Sequence, residues 1–596
     1  MADVSTNGLL IRKTGGKLPL LRYIVPFTVD YDMQSFSEVC HRLSERGQWK
    51  VMTRSELVPS HEEDLYDFFY KNLTTTASDG MVLGDRDTNI GVCFSSTDTN
   101  YKTLYYHYIK DGIREVKEFY ITDRGLVLFK NGISLFWYDV KVDFTEPDDL
   151  VLFQNRFKEL NSIHFTKSEA NKYHFSDRLK KDNDPDTEVR LYTFGNVIAK
   201  ELNRWFGEVG FFPSRVNEIL RQQNLKALYK EWREKTDAWK KADPNYQRTE
   251  TFRKEEKAFV QKKNLWVNLT VEDAKRLADE YNMGRTPDKT VAGIVPDRAI
   301  LYSYIVFDAK EEPGDSEEEK QALISEMCRY AYYFSRGYKE SYRVTKDAGE
   351  EKKHMFFRHE NDLWESALEG TGCFVLVYEH LTDQFNKPRS NSFYDNIRVN
   401  EMKGDYFIML VHLLYQYYSL ALYTDKISRI LQQDPVKYLE YDDHTEELYD
   451  NILNYKVQLD VFFSSCMFKS VSHTTDIGRI YAYIEDNMLI QENTESIRKG
   501  LSNLESLAAS ILEKIQARKK ERLENIVSFT GFVIGFITLV LGYDDIFSFA
   551  TNLQATFGFS DLWHNVIVIL VIATLLGMEF ILFISLIRYL IKKKKT

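Results

Sequence analysis

The last seventy or so residues constrain this chain most, because they hold two apolar segments joined by a short acidic connection and closed by lysines. Residues 526–543 carry no charge over 18 positions, and residues 566–587 carry one, Glu579, over 22. As helices they are predicted to cross a hydrocarbon core of roughly 30 Å, the first only just. Arg518, Lys519, Lys520 and Arg522 precede the first segment, and Arg588 with Lys592, Lys593, Lys594 and Lys595 follows the second. Positive flanks stay on the cytoplasmic side, so the reading is a multi-pass inner (plasma) membrane protein with both termini cytoplasmic. The connection carries only Asp544, Asp545 and Asp561, and Trp563 sits where an interfacial aromatic anchor belongs.

Within the first segment Ser528, Gly531, Gly535, Thr538 and Gly542 recur every three or four residues on one helix face. Two readings stand: close helix packing through small residues, or a pore-lining face. The pore reading adds Phe532 and Leu539 as hydrophobic gates on a slightly rotated face. It places Glu521 and Glu524 in an inner acidic ring and Gly542, Tyr543, Asp544 and Asp545 in an outer selectivity ring. Glu579 is an ionisable group inside a span, read either as a protonated structural partner or as an ion-handling group.

The remaining chain is too long for one core, so at least two cytoplasmic subdomains are expected before the hairpin. Net charge is −11, which argues against a nucleic-acid-coating surface and leaves room for a local basic pocket. Direct DNA or RNA binding is not expected. Cys40, Cys93, Cys328, Cys373 and Cys466 are scattered and read as reduced, buried thiols rather than a disulfide framework or zinc site.

In order, residues 1–148 form a β-rich part. Strands are predicted at Tyr105–Ile109, Glu115–Thr122, Gly125–Lys130 and Ile133–Val142, with turns at Asp111-Gly112, Asp123-Arg124-Gly125 and Asn131-Gly132. Residues 149–435 form an α/β (α+β) sensing part, with strands at Ala299–Phe307 and Gly372–Glu379, a helix at Glu317–Gly337 and a buried apolar helix at Asp405–Leu431. Residues 436–525 form a helical hairpin and stalk. The spacing of Ile497, Leu501, Leu504, Ala508, Ile511 and Ile515 is that of a coiled-coil seam. A helix unbroken from Asp476 to Asn525 would run about 75 Å, with Gly500 its weak point. Residues 526–596 are the two-helix membrane part.

Enzyme chemistry is not legible. There is no phosphate-binding loop, no His-Glu-x-x-His and no Gly-x-Ser-x-Gly elbow; Gly370-Thr371-Gly372 is only a weak glycine-rich turn. Neither a cofactor nor a metal site is assigned. Arg336, Tyr338, Lys339, Tyr342, Arg343 and Lys346 mix cations with rings and form a candidate anion-binding stretch, with a solvated loop as the competing reading.

The order of parts resembles the CorA-type magnesium transport superfamily: cytoplasmic α/β domain, helical hairpin, stalk helix, first span, short loop, second span and basic tail. The resemblance covers about Glu446 to Thr596 and rests on architecture. Where that family ends its first span in Gly-Met-Asn, this chain reads Gly542-Tyr543-Asp544. The resemblance implies a funnel-shaped homopentamer with the first span lining the pore. The altered segment and the large cytoplasmic part are similar to divergent members associated with type III CRISPR systems. They imply a membrane effector in antiviral defence, gated by a nucleotide second messenger. Two alternatives stay open: a magnesium or other divalent cation transporter, with Mg2+ as permeant or regulatory ion, and a membrane-anchored scaffold with no pore.

Overall fold

The computed structural model describes residues 8–13, 19–28, 33–45, 47, 49–58, 64–73, 90–97, 103–158, 174–176, 190–191, 211–212, 228, 230–243, 249–267, 289–290, 298–310, 316–336, 354–377, 393–432, 444–468, 470–558, 560, 562–563, 565–571, 573–574, 577–578, 580–581 and 584. The chain divides into two compact units: Met1–Lys426 with Phe462–Ile497, and Ile427–Val461 with Arg498–Thr596.

The first unit is built on a mixed sheet that draws strands from both sides of residue 148. Its central strands are β1 (Leu9–Ile11), β2 (Leu20–Thr28), β3 (Trp49–Val51), β4 (Gly91–Ser96), β5 (Thr103–Lys110), β6 (Ile113–Phe129), β7 (Ile133–Val142), β8 (His174–Ser176) and β9 (Arg190–Leu191). A short pair, β10 (Phe211–Phe212) and β11 (Lys289–Thr290), stands apart, and β12 (Ile300–Ala309), β13 (Phe356–His359), β14 (Asp362–Ala367) and β15 (Gly370–Val377) complete the main sheet. The order is β13-β14-β15-β12-β2-β7-β6-β5-β8-β9, with β1 on β12, β4 on β6 and β3 on β4. Among the described residues of this main sheet β12 and β15 run parallel and the other pairs are antiparallel, while the separate β10–β11 pair is parallel.

Side chains alternate between the two faces of a strand, and here both faces are covered. Leu21, Tyr23, Val25 and Phe27 of β2 join Phe136, Tyr138, Val140 and Val142 of β7 in one apolar core. Helices α1 (Met33–Glu45), α2 (Pro147–Phe157) and α3 (Glu317–Arg336) supply Phe36, Phe153, Phe157 and Phe334 to that same core. On the opposite face lies α4 (Asp405–Gln432): Phe407 packs edge-on against Trp137, and Tyr415 stacks on Phe129 at 4.1 Å. The buried apolar helix expected at Asp405–Leu431 is thus this second cover of the sheet.

The turns follow their residues. Asp111 and Gly112 both have positive φ, 49° and 79°, closing the β5–β6 hairpin as Asp-Gly turns do. Asp123-Arg124-Gly125, expected as a turn, is instead an irregularity inside β6, where register shifts between Ile121 and Arg124. Gly125 is required there because a Cβ would fall 2.0 Å from the Trp137 ring.

The second unit is helical. Helix α5 (His444–Cys466) begins in it, and Lys456 of α5 pairs with Glu505 at 2.6 Å. The expected stalk is not one helix: α6 (Thr475–Asn487), in the first unit, ends before Leu489, whose φ of 54° is left-handed, and α7 runs from Ile490, still in the first unit, to Leu541 in the second. Gly500 lies inside α7, where a Cβ would come 3.3 Å from Ile427. Leu504, Ala508, Ile511 and Ile515 of the expected seam are buried.

The membrane reading is corrected. Among the described residues no helix is long and apolar enough to cross a membrane. The apolar end of α7, from Ile526 to Leu541, is 16 residues long, so it rises about 24 Å against a core of roughly 30 Å. The expected acidic loop is helix α8 (Tyr543–Phe557), which begins with Asp544 and Asp545. Of the second apolar segment, 566–571, 573–574, 577–578, 580–581 and 584 are described; Glu579 and the lysine tail lie outside the described residues. The two transmembrane helices, the multi-pass inner-membrane placement and the topology drawn from them are accordingly withdrawn.

Candidate functional site

The two units offer different materials. In the second unit, α7 leaves its charged portion at Arg518, Lys519, Lys520 and Arg522 and becomes apolar. Leu523, Ile526, Val527, Phe529, Val533, Ile534 and Ile537 are all exposed, Ile526 by 61% and Val527 by 64%. Exposure continues along α8 at Phe547, Phe549 and Phe557 and then at Leu562 and Trp563. Exposed apolar side chains concentrated in this way along a helix mark a candidate interaction site.

The small-residue stripe lies on this helix. Ser528 and Gly535 are half-buried, nothing lies within 4 Å of a Cβ built on Gly531, and the Thr538 hydroxyl donates to the Ile534 carbonyl at 2.8 Å. Phe532 is half-buried, while the Leu539 and Tyr543 side chains lie outside the described residues. Gly542 precedes α8, and Asp544 and Asp545 occupy its first turn, where carboxylates complement the positive end of the helix. Glu521 and Glu524 are exposed on α7.

In the first unit several charged side chains are inside and paired. Arg22 and Asp139 face each other across β2 and β7 in a bidentate contact of 2.6 and 2.9 Å. The guanidinium is sandwiched between the Trp137 and Phe407 rings at 3.9 and 4.1 Å. Arg398, 1% exposed, donates to Asp362 at 2.7 Å and to both Glu401 and the Tyr406 hydroxyl at 3.0 Å. Burial and then the Asp362 charge hold the Cys373 thiol well above its ordinary pKa, and its Sγ donates to Asp362 at 3.4 Å. Such pairs are costly to break and modest in net worth.

Of the candidate anion-binding stretch, only Arg336 is described. Its guanidinium bonds Glu365 and lies 4.0 Å over the Tyr332 ring. The Tyr483 hydroxyl also donates to Glu365, at 3.2 Å, and burial raises the Glu365 pKa. Tyr338, Lys339, Tyr342, Arg343 and Lys346 lie outside the described residues. Gly370-Thr371-Gly372 opens β15; a Cβ on Gly372 would fall 2.4 Å from the Ser303 hydroxyl, so close strand packing accounts for that glycine. Among the described residues no cluster of His, Cys, Asp and Glu could hold a metal ion.

Sequence reasoning missed the buried pairs and one further group, Asp405. Charges inside apolar runs, Arg22 alone in Leu20–Thr28 and Asp139 with Lys141 in Ile133–Val142, were the available signal. No protein-family model, curated protein or solved structure matches the chain.

Proposed function

We propose that the chain is a lipid-engaging binding protein, in which the apolar surface of α7 and α8 seats in a bilayer surface and the α/β unit provides the folded, water-facing body. The observation carrying this reading is the run of exposed aliphatic and aromatic side chains from Leu523 to Trp563, entered through Arg518, Lys519, Lys520 and Arg522. Removing one such side chain from water is worth about 1.5–3 kcal/mol, so half a dozen supply on the order of 10 kcal/mol before ordering costs. Each cation near an anionic surface adds about 1 kcal/mol, which Glu521 and Glu524 partly offset. An ion-conducting pore needs helices that cross the bilayer, and among the described residues no helix is long and apolar enough for that.

Flotation with liposomes tests the proposal. The full chain should rise with vesicles, more so with anionic than with neutral lipid, and Phe529→Asp with Ile534→Asp should leave it at the bottom of the gradient. Equal flotation of wild type and double variant would refute the assignment. So would a wild type that ignores lipid and forms oligomers instead.

A further inference from the structure

Asp405, the first residue of α4, is buried at a three-way junction in the first unit. Its Oδ1 accepts the Tyr70 hydroxyl at 2.5 Å, while its Oδ2 is buried with no hydrogen-bond partner. Tyr70 in turn accepts the Leu65 amide at 3.1 Å. Leu65 forms an antiparallel bridge with Ser472, and the Tyr66 amide donates to the Val471 carbonyl at 3.0 Å. Ser472 closes the seam: its hydroxyl donates to the Asp64 carbonyl and accepts the Thr474 amide at 2.9 Å. Segments more than 400 residues apart in sequence are therefore joined directly beside one incompletely satisfied carboxyl.

A buried carboxylate oxygen without a donor is tolerable protonated and costly ionised. The neighbours reinforce this. Asp64 and Glu401 both bring like charge to Asp405, against which stand the Tyr70 hydroxyl and the Asp64 backbone amide. On the far side of Tyr70, Arg54 lies 4.7 Å over the ring but is paired with Asp67. On α4 itself, His412 bonds the Phe69 carbonyl at 3.2 Å, and burial lowers its pKa to about 4, so it is neutral and offers no counter-charge. His473 packs edge-on against Tyr66 at 4.3 Å. Lys403 pairs with Asp123 at 3.7 Å, and Arg398 is held by Asp362 and Glu401.

We propose that Asp405 is a proton-sensitive latch: protonated, it holds the seam between residues 64–66 and 471–474 closed, and ionised, it loosens that seam by repelling Asp64 and Glu401. This is independent of the lipid reading. Burial, the largest cause, raises the Asp405 pKa from 3.8 to about 6. A raised carboxyl pKa means that the closed seam binds the proton more tightly than the open one. The latch is firm near and below the ordinary carboxyl value, weakens as pH rises from about 3.8 to about 6, and changes no further above that.

Hydrogen exchange on the full chain, corrected for intrinsic rates, tests this at peptides covering Leu65, Tyr66 and Thr474. Protection should increase by more than about tenfold between pH 6.5 and 4.5, within the change that a shift of about two pKa units carries. Asp405→Asn should flatten that dependence, and Asp64→Asn, which removes a like charge, should move its midpoint to lower pH. If Asp405→Asn does not fold, the Asp64→Asn midpoint decides. An unchanged pH profile in Asp405→Asn, or an unmoved midpoint in Asp64→Asn, would overturn the proposal.

Discussion

The two units treat burial in opposite ways. The first unit takes charges out of water and pairs them, as in Arg22 with Asp139 and Arg398 with Asp362. The second leaves Ile526, Val527, Phe529 and Ile534 in water. Charge inside a sheet costs desolvation and returns specificity, since only one register matches the partners. Apolar surface outside costs hydration and returns affinity for whatever apolar phase covers it. The first unit thus keeps these charges inside its fold, and the second leaves an apolar helix surface that the proposed lipid contact would cover.

Removing one member of a buried pair should be the most damaging change. Arg398→Ala strands Asp362 and should cost about 3–5 kcal/mol in urea unfolding. Arg398→Met with Asp362→Leu should recover most of that loss; if both variants are equally unstable, the pair is not the cause. Asp405→Asn should act in the other direction. The fold loses stability to its ionisation as pH rises from about 4 to about 6 and stays at that level above, so the variant should gain about 2 kcal/mol at pH 8 and little at pH 4. Gly125→Ala drives a methyl into Trp137 and should lose about 1–3 kcal/mol in thermal unfolding. Leu489→Gly relieves a left-handed leucine and should gain about 1 kcal/mol in the same assay. Smallest of all, Phe529→Asp with Ile534→Asp should change unfolding by less than about 0.5 kcal/mol while abolishing liposome flotation. A large stability loss there would mean that the apolar surface is already covered within the chain.

Local chemistry was readable where one residue pair decides the backbone. Asp111-Gly112 and Asn131-Gly132 place the ends of β5, β6 and β7, because positive φ is cheap at those residues. Asp123-Arg124-Gly125 has the same turn chemistry yet stays inside β6, since Gly125 answers to the Trp137 ring across the ladder. The helix break at Leu489 carries no glycine or proline to announce it. Asp544-Asp545 looked like a loop and is a helix start, a role that acidic residues fill equally well. The Arg22–Asp139 and Tyr70–Asp405 contacts join residues 117 and 335 positions apart, beyond any local pattern. The apolar segments were measured by composition, whereas what counts for crossing a bilayer is the length of unbroken helix, and α7 ends at Leu541.

The most direct test places an environment-sensitive fluorophore at Ile534→Cys, with Ser506→Cys on the same helix as the reference; the five native cysteines are buried. Adding anionic vesicles that contain brominated lipid should blue-shift and quench the label at 534 and leave the label at 506 unchanged. No response at 534, or equal quenching at both positions, would contradict the account.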